Sequence, residues 1–290
     1  MNRKLIAALL TLSFGATSGW AQATDLLQAY RDALANDAQF AVARSTVAAG
    51  RERYDQGRSA LLPQLNASAS LFENESETDQ SGSRSFTTTD YQLTLTQPLY
   101  RWQNWVGYQQ GELQTAQAEA TFAQAEQDLI LRVAEAYFNV LNAQESLRAT
   151  QSQKTAIGQQ LELAKKSFEV GTATITDTHE AQARYDLVTA QEAAAENLLE
   201  VARQTLNALL GKEAGALAAL KPDAVLSGPQ PADLKSWVEQ AENNNVQVRV
   251  QALNAEIASK SAESARAGHH PTLDFVASYR QAKNDPTSSL

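Results

Sequence analysis

Several residue types and sequence patterns are missing from this chain, and each absence excludes certain classes of structure or function. No cysteine occurs among the 290 residues, which excludes disulfide bonds and lipid attachment through cysteine. The three histidines include His269 and His270, which are adjacent and make a poor pair of metal ligands. We find no nucleophile–base pair, phosphate-binding loop or metal-ligand spacing, so no catalytic residue, cofactor or metal is expected and the chain is not predicted to be an enzyme. The net charge of −9 argues against nucleic acid as a partner.

Long apolar runs are also missing, apart from one at the start of the chain. Arg3 and Lys4 precede an apolar segment at residues 5–14, and small residues up to Ala23 follow it. This is the pattern of a secretory signal peptide, so residues 1–23 are predicted to be removed by cleavage after Ala23. The apolar run is too short to cross a bilayer as a helix, and no later run is long enough. We therefore expect the mature chain to leave the cytoplasm.

Proline is absent from residues 104–210, and this stretch predicts one helical hairpin. Its first arm, residues 104–170, would be on the order of 100 Å long at a rise of about 1.5 Å per residue, which is typical of a coiled coil or a helical repeat. A stripe with steps of three and four residues runs along this arm, apolar except at Gln127: Leu113, Ala116, Ala120, Ala123, Gln127, Ile130, Ala134, Tyr137, Leu141. The returning arm carries two such stripes, one at Ala183, Leu187, Ala190, Ala194 and Val201, the other at Tyr185, Val188, Ala195, Leu199, Ala202, Leu206 and Leu209. Two stripes on one helix predict a neighbour on each side, as in the wall of a bundle or cylinder.

The pattern changes to alternation in residues 65–99, which predict a β-hairpin. The polar residues 73–90 are interpreted as a long solvated loop between its strands. These dimensions fit membrane-spanning β-strands, with a small soluble sheet as the alternative. In a membrane the polar side chains of the strands would face a lumen: Asn66, Ser68, Ser70, Gln92, Thr94, Thr96. Aromatic residues at the change from strand to helix would lie at the membrane interface: Tyr100, Trp102, Trp105.

The beginning of the chain recurs near its end, which indicates an internal duplication. Asp25 and Leu26 recur as Asp233 and Leu234, and the same helix–proline–strand order follows in both copies. We therefore divide the chain into a signal peptide (1–23), a first repeat (24–210), a connector (211–231) and an incomplete second repeat (232–290). Because the second copy stops just after its first strand, we expect a partner strand and a second long helical hairpin to follow in a longer protein.

Two complete repeats would supply four strands, which are too few to close a barrel. Open strand edges within a bilayer leave backbone groups unsatisfied, at a cost of several kcal/mol each. The protein is therefore expected to oligomerise, which would close its sheet in the membrane and set the helical hairpins side by side as a tube. The predicted fold class is mainly α with membrane β-strands, and the predicted function is that of a hollow conduit.

Short segments in the correct order resemble the TolC family of outer-membrane efflux and secretion channels. They are SALLPQL (59–65), TLTQPLY (94–100), AYFNVLNA (136–143), FEVG (168–171), ITD (175–177), ARYD (183–186) and HPTLD (270–274). The resemblance covers nearly the whole chain, although Ala38 stands where the family often has proline. It implies a trimer with a twelve-stranded α/β barrel in the outer membrane and a long helical tunnel in the periplasm.

The same resemblance implies drug efflux and/or type I protein secretion together with two partners. These are a periplasmic adaptor protein and an inner-membrane exporter, either an ABC or a proton-driven pump, which supplies the energy. The turn between the two helical arms would be the periplasmic tip, where the adaptor docks on Gly171, Thr172, Ala173 and Thr174. Asp177 matches a family aspartate whose links to the second hairpin hold the entrance shut, which makes it the candidate periplasmic gate.

Two of these tip residues also have predicted local roles. Gly171 fits the end of a helix, where the backbone needs a positive φ. Asp177 is predicted to begin the next helix, with Glu180 three residues later completing a capping box.

Two other functions remain open at this point. A periplasmic adaptor also carries a long helical hairpin, but it places lipoyl-like β-domains around it and often has a lipidated cysteine, which this chain lacks. A secreted enzyme on a helical scaffold is the other alternative, and the lack of a catalytic constellation counts against it. Heat-modifiable migration in an outer-membrane fraction would separate a channel from an adaptor.

Overall fold

A computed structural model describes residues 23–78, 82–221, 228 and 230–286. The predicted signal peptide lies outside the described residues, except for Ala23. The elements of the described chain are, in order, α1 Leu26–Asn36, α2 Ala38–Ser59, β1 Gln64–Thr78, β2 Gly82–Tyr100, α3 Trp102–Glu169, α4 Ile175–Leu210, α5 Leu234–Asn244, α6 Val246–Ala267 and β3 Leu273–Pro286. None of the described helices combines the length and the apolar composition needed to cross a bilayer.

The helices α3 and α4 form the predicted helical hairpin, which is confirmed. Helix α3 is continuous over 68 residues and begins at Trp102, two residues before the predicted start, because the backbone carbonyl of Arg101 already accepts from the N–H groups of Asn104 and Trp105. It ends at Glu169, and Gly171 follows with φ of 78°. Only glycine adopts this left-handed backbone conformation without steric cost, and so the chain turns there.

The chain divides into two compact units that we describe separately, the first formed by Met1–Val42 with Glu126–Pro229 and the second by Ala43–Ala125 with Gln230–Leu290. The core of the first unit lies along the hairpin and is formed by fully or nearly fully buried side chains: Leu129, Val133, Val140, Val188, Leu199, Leu206, Leu210. Of the two stripes predicted on α4, the one that includes Val188 and Leu199 is buried. The other stripe is exposed at Leu187 and Val201, so a second apolar seam lies open on α4.

On α3 the predicted stripe is buried at Ala120, Tyr137 and Leu141, but not along its whole length. Leu129 and Val133 are buried, whereas Ile130 on the predicted stripe is half exposed. Both sets follow the same three-and-four spacing, so periodicity alone could not decide which seam the returning arm covers. Helix α3 therefore also presents a second apolar seam.

The first unit is closed by α1, which packs against the end of α4. Asp25 caps α1, and its carboxylate accepts from the backbone N–H of Gln28 at 2.6 Å. The side-chain amide of Asn36 donates to the backbone carbonyl of Leu210 at 2.9 Å, and Gly211 ends α4 directly beside it. Helix α1 is thereby fixed to the end of the hairpin.

In the second unit, α6 lies beside the first part of α3 through polar contacts. The side-chain amide of Gln117 donates to the side-chain oxygen of Asn254 at 2.6 Å, and that of Gln110 donates to the hydroxyl of Ser261 at 2.9 Å. Lys260 donates to the side-chain oxygen of Gln109 at 2.8 Å. These bonds hold α6, a helix of the predicted second repeat, against α3 of the predicted first repeat.

The three strands form one antiparallel sheet in the order β1-β2-β3, also within the second unit. The prediction that residues 73–90 form a solvated loop is wrong, because β1 continues to Thr78 and β2 begins at Gly82; residues 79–81 lie outside the described residues. Polar composition misled the prediction, since β-branched threonines at 87–89 fit strands well and ladder bonds do not depend on apolar side chains. Side chains also bond across the strands here, Asn74 to Thr88 at 3.0 Å and Thr88 to Asn284 at 2.9 Å.

Candidate functional site

The register of the sheet gathers all six residues predicted to face a lumen. Residues paired across antiparallel strands share a face, and the pairs include Asn66 with Thr94 and Ser68 with Gln92. We call this the polar face of the sheet; its members are Gln64, Asn66, Ser68, Ser70, Phe72, Asn74, Phe86, Thr88, Asp90, Gln92, Thr94, Thr96, Val276, Ser278, Arg280, Ala282 and Asn284. The sequence analysis did not include Asp90 or Arg280, because Asp90 was assigned to the loop 73–90 and Arg280 lies just after the strand predicted in the second repeat.

The opposite face, which we call the apolar face, carries an exposed band of large apolar side chains: Leu65, Leu71, Tyr91, Leu93, Phe275, Tyr279. From Leu65 to Leu71 the band covers about 20 Å of strand at about 3.3 Å per residue, close to the roughly 25 Å of a membrane β-barrel. Beyond Leu71 the face becomes polar, with Glu73 on β1 and Asp285 on β3. The band therefore has a definite end.

Aromatic side chains mark both ends of the apolar band. At the far end Tyr91 and Tyr279 are exposed diagonal neighbours, because Tyr91 pairs with Gln281 and Leu93 with Tyr279. The sequence analysis missed this pair, although an aromatic residue at the end of each alternating run could have revealed it.

At the near end lie the three predicted interface aromatics. Tyr100 and Trp105 are exposed, and Trp102 is partly exposed. The ring of Trp105 lies 5.7 Å from that of Tyr108, whose hydroxyl donates to Glu112 at 2.9 Å and can accept from the hydroxyl of Tyr54 at 3.2 Å. The hydrogen bonds with Tyr54 and Glu112 raise the pKa of Tyr108 above its usual range, so its hydroxyl stays protonated and neutral.

At the tip, the turn residues Gly171, Thr172, Ala173 and Thr174 connect the two arms through their own hydrogen bonds. The backbone N–H of Thr172 donates to the carbonyl of Ser167 at 2.9 Å, which satisfies the end of α3. The positive φ predicted for Gly171 is confirmed, and no heavy atom lies within 4 Å of where its side chain would start. The turn therefore presents an open surface held in one backbone conformation.

The capping box of α4 begins three residues before the predicted position. Thr174 is the N-cap, and its hydroxyl accepts from the backbone N–H of Asp177 at 3.3 Å. The Asp177 carboxylate accepts from the backbone N–H and the hydroxyl of Thr174, both at 2.8 Å. The backbone N–H and then the hydroxyl of Thr174 hold the pKa of Asp177 below its usual range. The prediction that Asp177 is itself the cap is wrong, because α4 already begins at Ile175 and Thr174 caps it, with Asp177 as the third residue of the helix.

Above the tip the two arms are joined by a partly buried ion pair. Lys154 on α3 donates to Glu192 on α4 at 2.5 Å, and its ammonium lies 5.9 Å from the ring centroid of Tyr185. A hydrogen bond to Glu192 raises the pKa of Lys154, so it remains charged. The described residues contain no group of three or more His, Cys, Asp or Glu side chains placed to hold a metal ion.

Residues 29–212 match the family of outer membrane efflux proteins, which is more than half of the chain. The chain belongs to the outer membrane efflux protein family. It is 33% identical over 282 residues to the outer membrane protein TolC of Vibrio cholerae, covering 97% of this chain and 64% of that protein. It is 34% identical to TolC of Escherichia coli and to the proteases secretion protein PrtF of Dickeya chrysanthemi, covering 56% and 63% of those proteins. The chain thus spans about three fifths of the length of these relatives.

Solved channels of the efflux protein family share its fold. CusC superposes with a TM-score of 0.75 at 19% identity, covering 89% of this chain and 60% of CusC. The outer membrane channel CmeC of Campylobacter jejuni superposes with a TM-score of 0.71 at 15% identity, covering 91% of this chain and 61% of CmeC. The fold prediction of a long helical hairpin with a membrane β-hairpin is confirmed, and the adaptor alternative has no support from any of these relatives.

Proposed function

We propose that this chain is part of the subunit of an outer-membrane channel for drug efflux and/or type I protein secretion. The observation that carries the proposal is the division of the sheet into a polar face and an exposed apolar face, in a chain of the outer membrane efflux protein family. A strand with lipid on one side and water on the other needs this division. The polar face then lines the pore, and the two aromatic levels lie at the membrane interfaces.

Closure of the pore requires further strands. Within the described strands, β1 and β3 each have one edge without a paired strand. In a bilayer such edges must be paired, so we propose a homotrimer in which each complete subunit supplies four strands to a twelve-stranded barrel. The open seams on α3 and α4, at Ile130, Leu187 and Val201, would pack against neighbouring helices of the periplasmic tunnel.

The energy for transport would come from partners at the tip of the hairpin. We propose that a periplasmic adaptor contacts Gly171, Thr172, Ala173 and Thr174, and that an inner-membrane ABC or proton-driven exporter drives the substrate. The support comes from the exposed, preformed turn and from relatives such as PrtF and the alkaline protease secretion protein AprF of Pseudomonas aeruginosa, which are secretion proteins by name. No chemical step at the channel itself is needed in this proposal.

Fractionation of cells tests the location directly. The full-length subunit is expected in the outer-membrane fraction, migrating as a trimer in mild detergent and as a monomer after heating. Recovery of the protein as a monomer from the soluble periplasm would contradict the proposed channel function and favour the adaptor alternative.

A second experiment tests the gate role of Asp177. In the full-length trimer Asp177→Ala is expected to raise single-channel conductance, because the carboxylate proposed to hold the entrance closed is removed. The matched control is Thr174→Ala, which removes the N-cap of α4 but leaves the carboxylate at position 177. Unchanged conductance in Asp177→Ala, or an equal increase in Thr174→Ala, would show that Asp177 acts only in the capping box of α4.

A further inference from the structure

One ion pair lies on the polar face of the sheet, between β2 and β3. The Nε of Arg280 donates to the two carboxylate oxygens of Asp90 at 3.0 and 2.8 Å, and one terminal nitrogen donates to the same carboxylate. From the level of Thr96 to that of Thr88, the other described side chains of this face carry no formal charge. The pair is therefore the main fixed charge on this part of the face.

The depth of the pair shows which side of the barrel it must face. Asp90 pairs in register with Ser70, one residue from Leu71 and Tyr91 on the apolar face. Arg280 likewise follows Tyr279, whose side chain is exposed on the apolar face. A charge facing lipid at the midplane of a membrane barrel costs about 2–4 kcal/mol, whereas a charge facing the lumen keeps its water. The pair thus lies on the pore wall, inside the outer end of the apolar band.

The two partners are not equally accessible. The side chain of Arg280 is 64% exposed, whereas that of Asp90 is 11% exposed. An ion passing along this wall meets the guanidinium first, with the carboxylate covered behind it. Rings of charged side chains set the ion selectivity of pores, and three copies of the subunit would place three such pairs around the lumen.

We propose that the Asp90–Arg280 pair is a selectivity element of the pore. Asp90 cancels most of the charge of Arg280, so the outer part of the barrel discriminates weakly between anions and cations while the pair is intact. Breaking the pair from either side leaves a ring of three like charges. This inference rests on the proposed channel function.

The test measures reversal potentials of the full-length trimer in planar bilayers under a potassium chloride gradient. Arg280→Gln is expected to raise the ratio of cation to anion permeability by roughly twofold or more, and Asp90→Asn to lower it by a similar factor, because each leaves an uncancelled ring. Both shifts should be largest near 0.1 M salt, where the screening length is about 10 Å, and nearly vanish at 1 M, where it is about 3 Å.

Two controls separate charge from structural damage. The double variant Asp90→Asn with Arg280→Gln is expected to return to the wild-type ratio. Lys283→Gln should leave the ratio unchanged, because Lys283 lies on the opposite face of the same strand, paired with Asp285 at 2.9 Å. If a single variant does not assemble, the exchange Asp90→Arg with Arg280→Asp keeps the pair and places a carboxylate at the exposed position, so the ratio should rise.

The outcomes distinguish this inference from the function on which it rests. Assembled single variants with wild-type reversal potentials, or with shifts of the same sign, overturn the selectivity role alone. An exchange variant with an unchanged ratio does the same. A wild-type trimer that forms no pores overturns the channel function and this inference with it.

Discussion

Replacing Arg132 by alanine is expected to lower the free energy of unfolding by about 2–3 kcal/mol. Arg132 on α3 donates to the carboxylate of Asp37 at 2.7 Å, and the same carboxylate accepts from the backbone N–H of Phe40 at 3.1 Å, which caps α2. Asp37 is only 7% exposed, so the substitution leaves a buried carboxylate with one partner fewer. Breaking a buried pair costs about 3–5 kcal/mol, and we expect less because Arg132 is 30% exposed and partly solvated.

The matched control is Arg148→Ala on the same helix. Arg148 pairs with Glu145 at 3.8 Å, and their side chains are 79% and 72% exposed, so its loss should cost less than about 1 kcal/mol. Urea denaturation of both variants beside the wild type measures the difference. Equal stability of the two variants would contradict the role assigned to the buried pair.

The Arg132–Asp37 pair also predicts how the stability of the fold changes at low pH. Burial raises the pKa of Asp37, but the hydrogen bonds from Arg132 and Phe40 outweigh it and leave the pKa below its ordinary value of 3.8. A carboxyl group with a lowered folded-state pKa stabilises the fold above about pH 3.8, and this contribution is lost as the pH falls through the lowered value. The acid sensitivity should therefore be weaker in Arg132→Ala.

The second large effect is expected at Gly111, where α2 and α3 approach each other within the second unit. A methyl group at Gly111 would begin 2.6 Å from the backbone carbonyl oxygen of Arg53, and one at Gly50 would overlap the side chain of Ala118. Because a carbonyl cannot move without its helix, Gly111→Ala should cost about 1–3 kcal/mol despite the better helix propensity of alanine.

Gly107 provides the control four residues earlier on the same helix. No heavy atom lies within 4 Å of a side chain built there, so Gly107→Ala should stabilise the protein by about 0.5–1 kcal/mol through helix propensity alone. Thermal or urea unfolding of the two variants should give changes of opposite sign. A stabilised Gly111→Ala variant would mean that the two helices do not pack this closely.

Sequence patterns predicted the helical elements well where the periodicity was long and uninterrupted. The absence of proline between residues 104 and 210, together with Gly171 between the arms, located the hairpin to within about two residues at each end. The alternation around Leu65 and Leu93 identified the strands and the six residues that share the polar face. These features depend on local spacing, which one sequence displays directly.

Features that depend on contacts between residues far apart in the sequence could not be predicted from local spacing. The extension of β1 to Thr78 is stabilised by ladder bonds to β2, and the alternation that marks a strand fades where both faces meet water. The stripe predicted on α3 is buried at Tyr137 but exposed at Ile130, because Leu129 and Ile130 fit the same spacing and packing decides between them. The Asp90–Arg280 pair joins residues 190 positions apart, and neither residue stands in a motif.

The account depends most on the claim that the polar face lines a pore closed by several copies of the subunit. Planar-bilayer conductance of two purified proteins, the 290-residue chain and the full-length subunit, tests this directly. We predict discrete channels from the full-length trimer and none from the 290-residue chain, whose three described strands leave two edges open. A full-length protein that stays soluble and produces no channels would contradict the account.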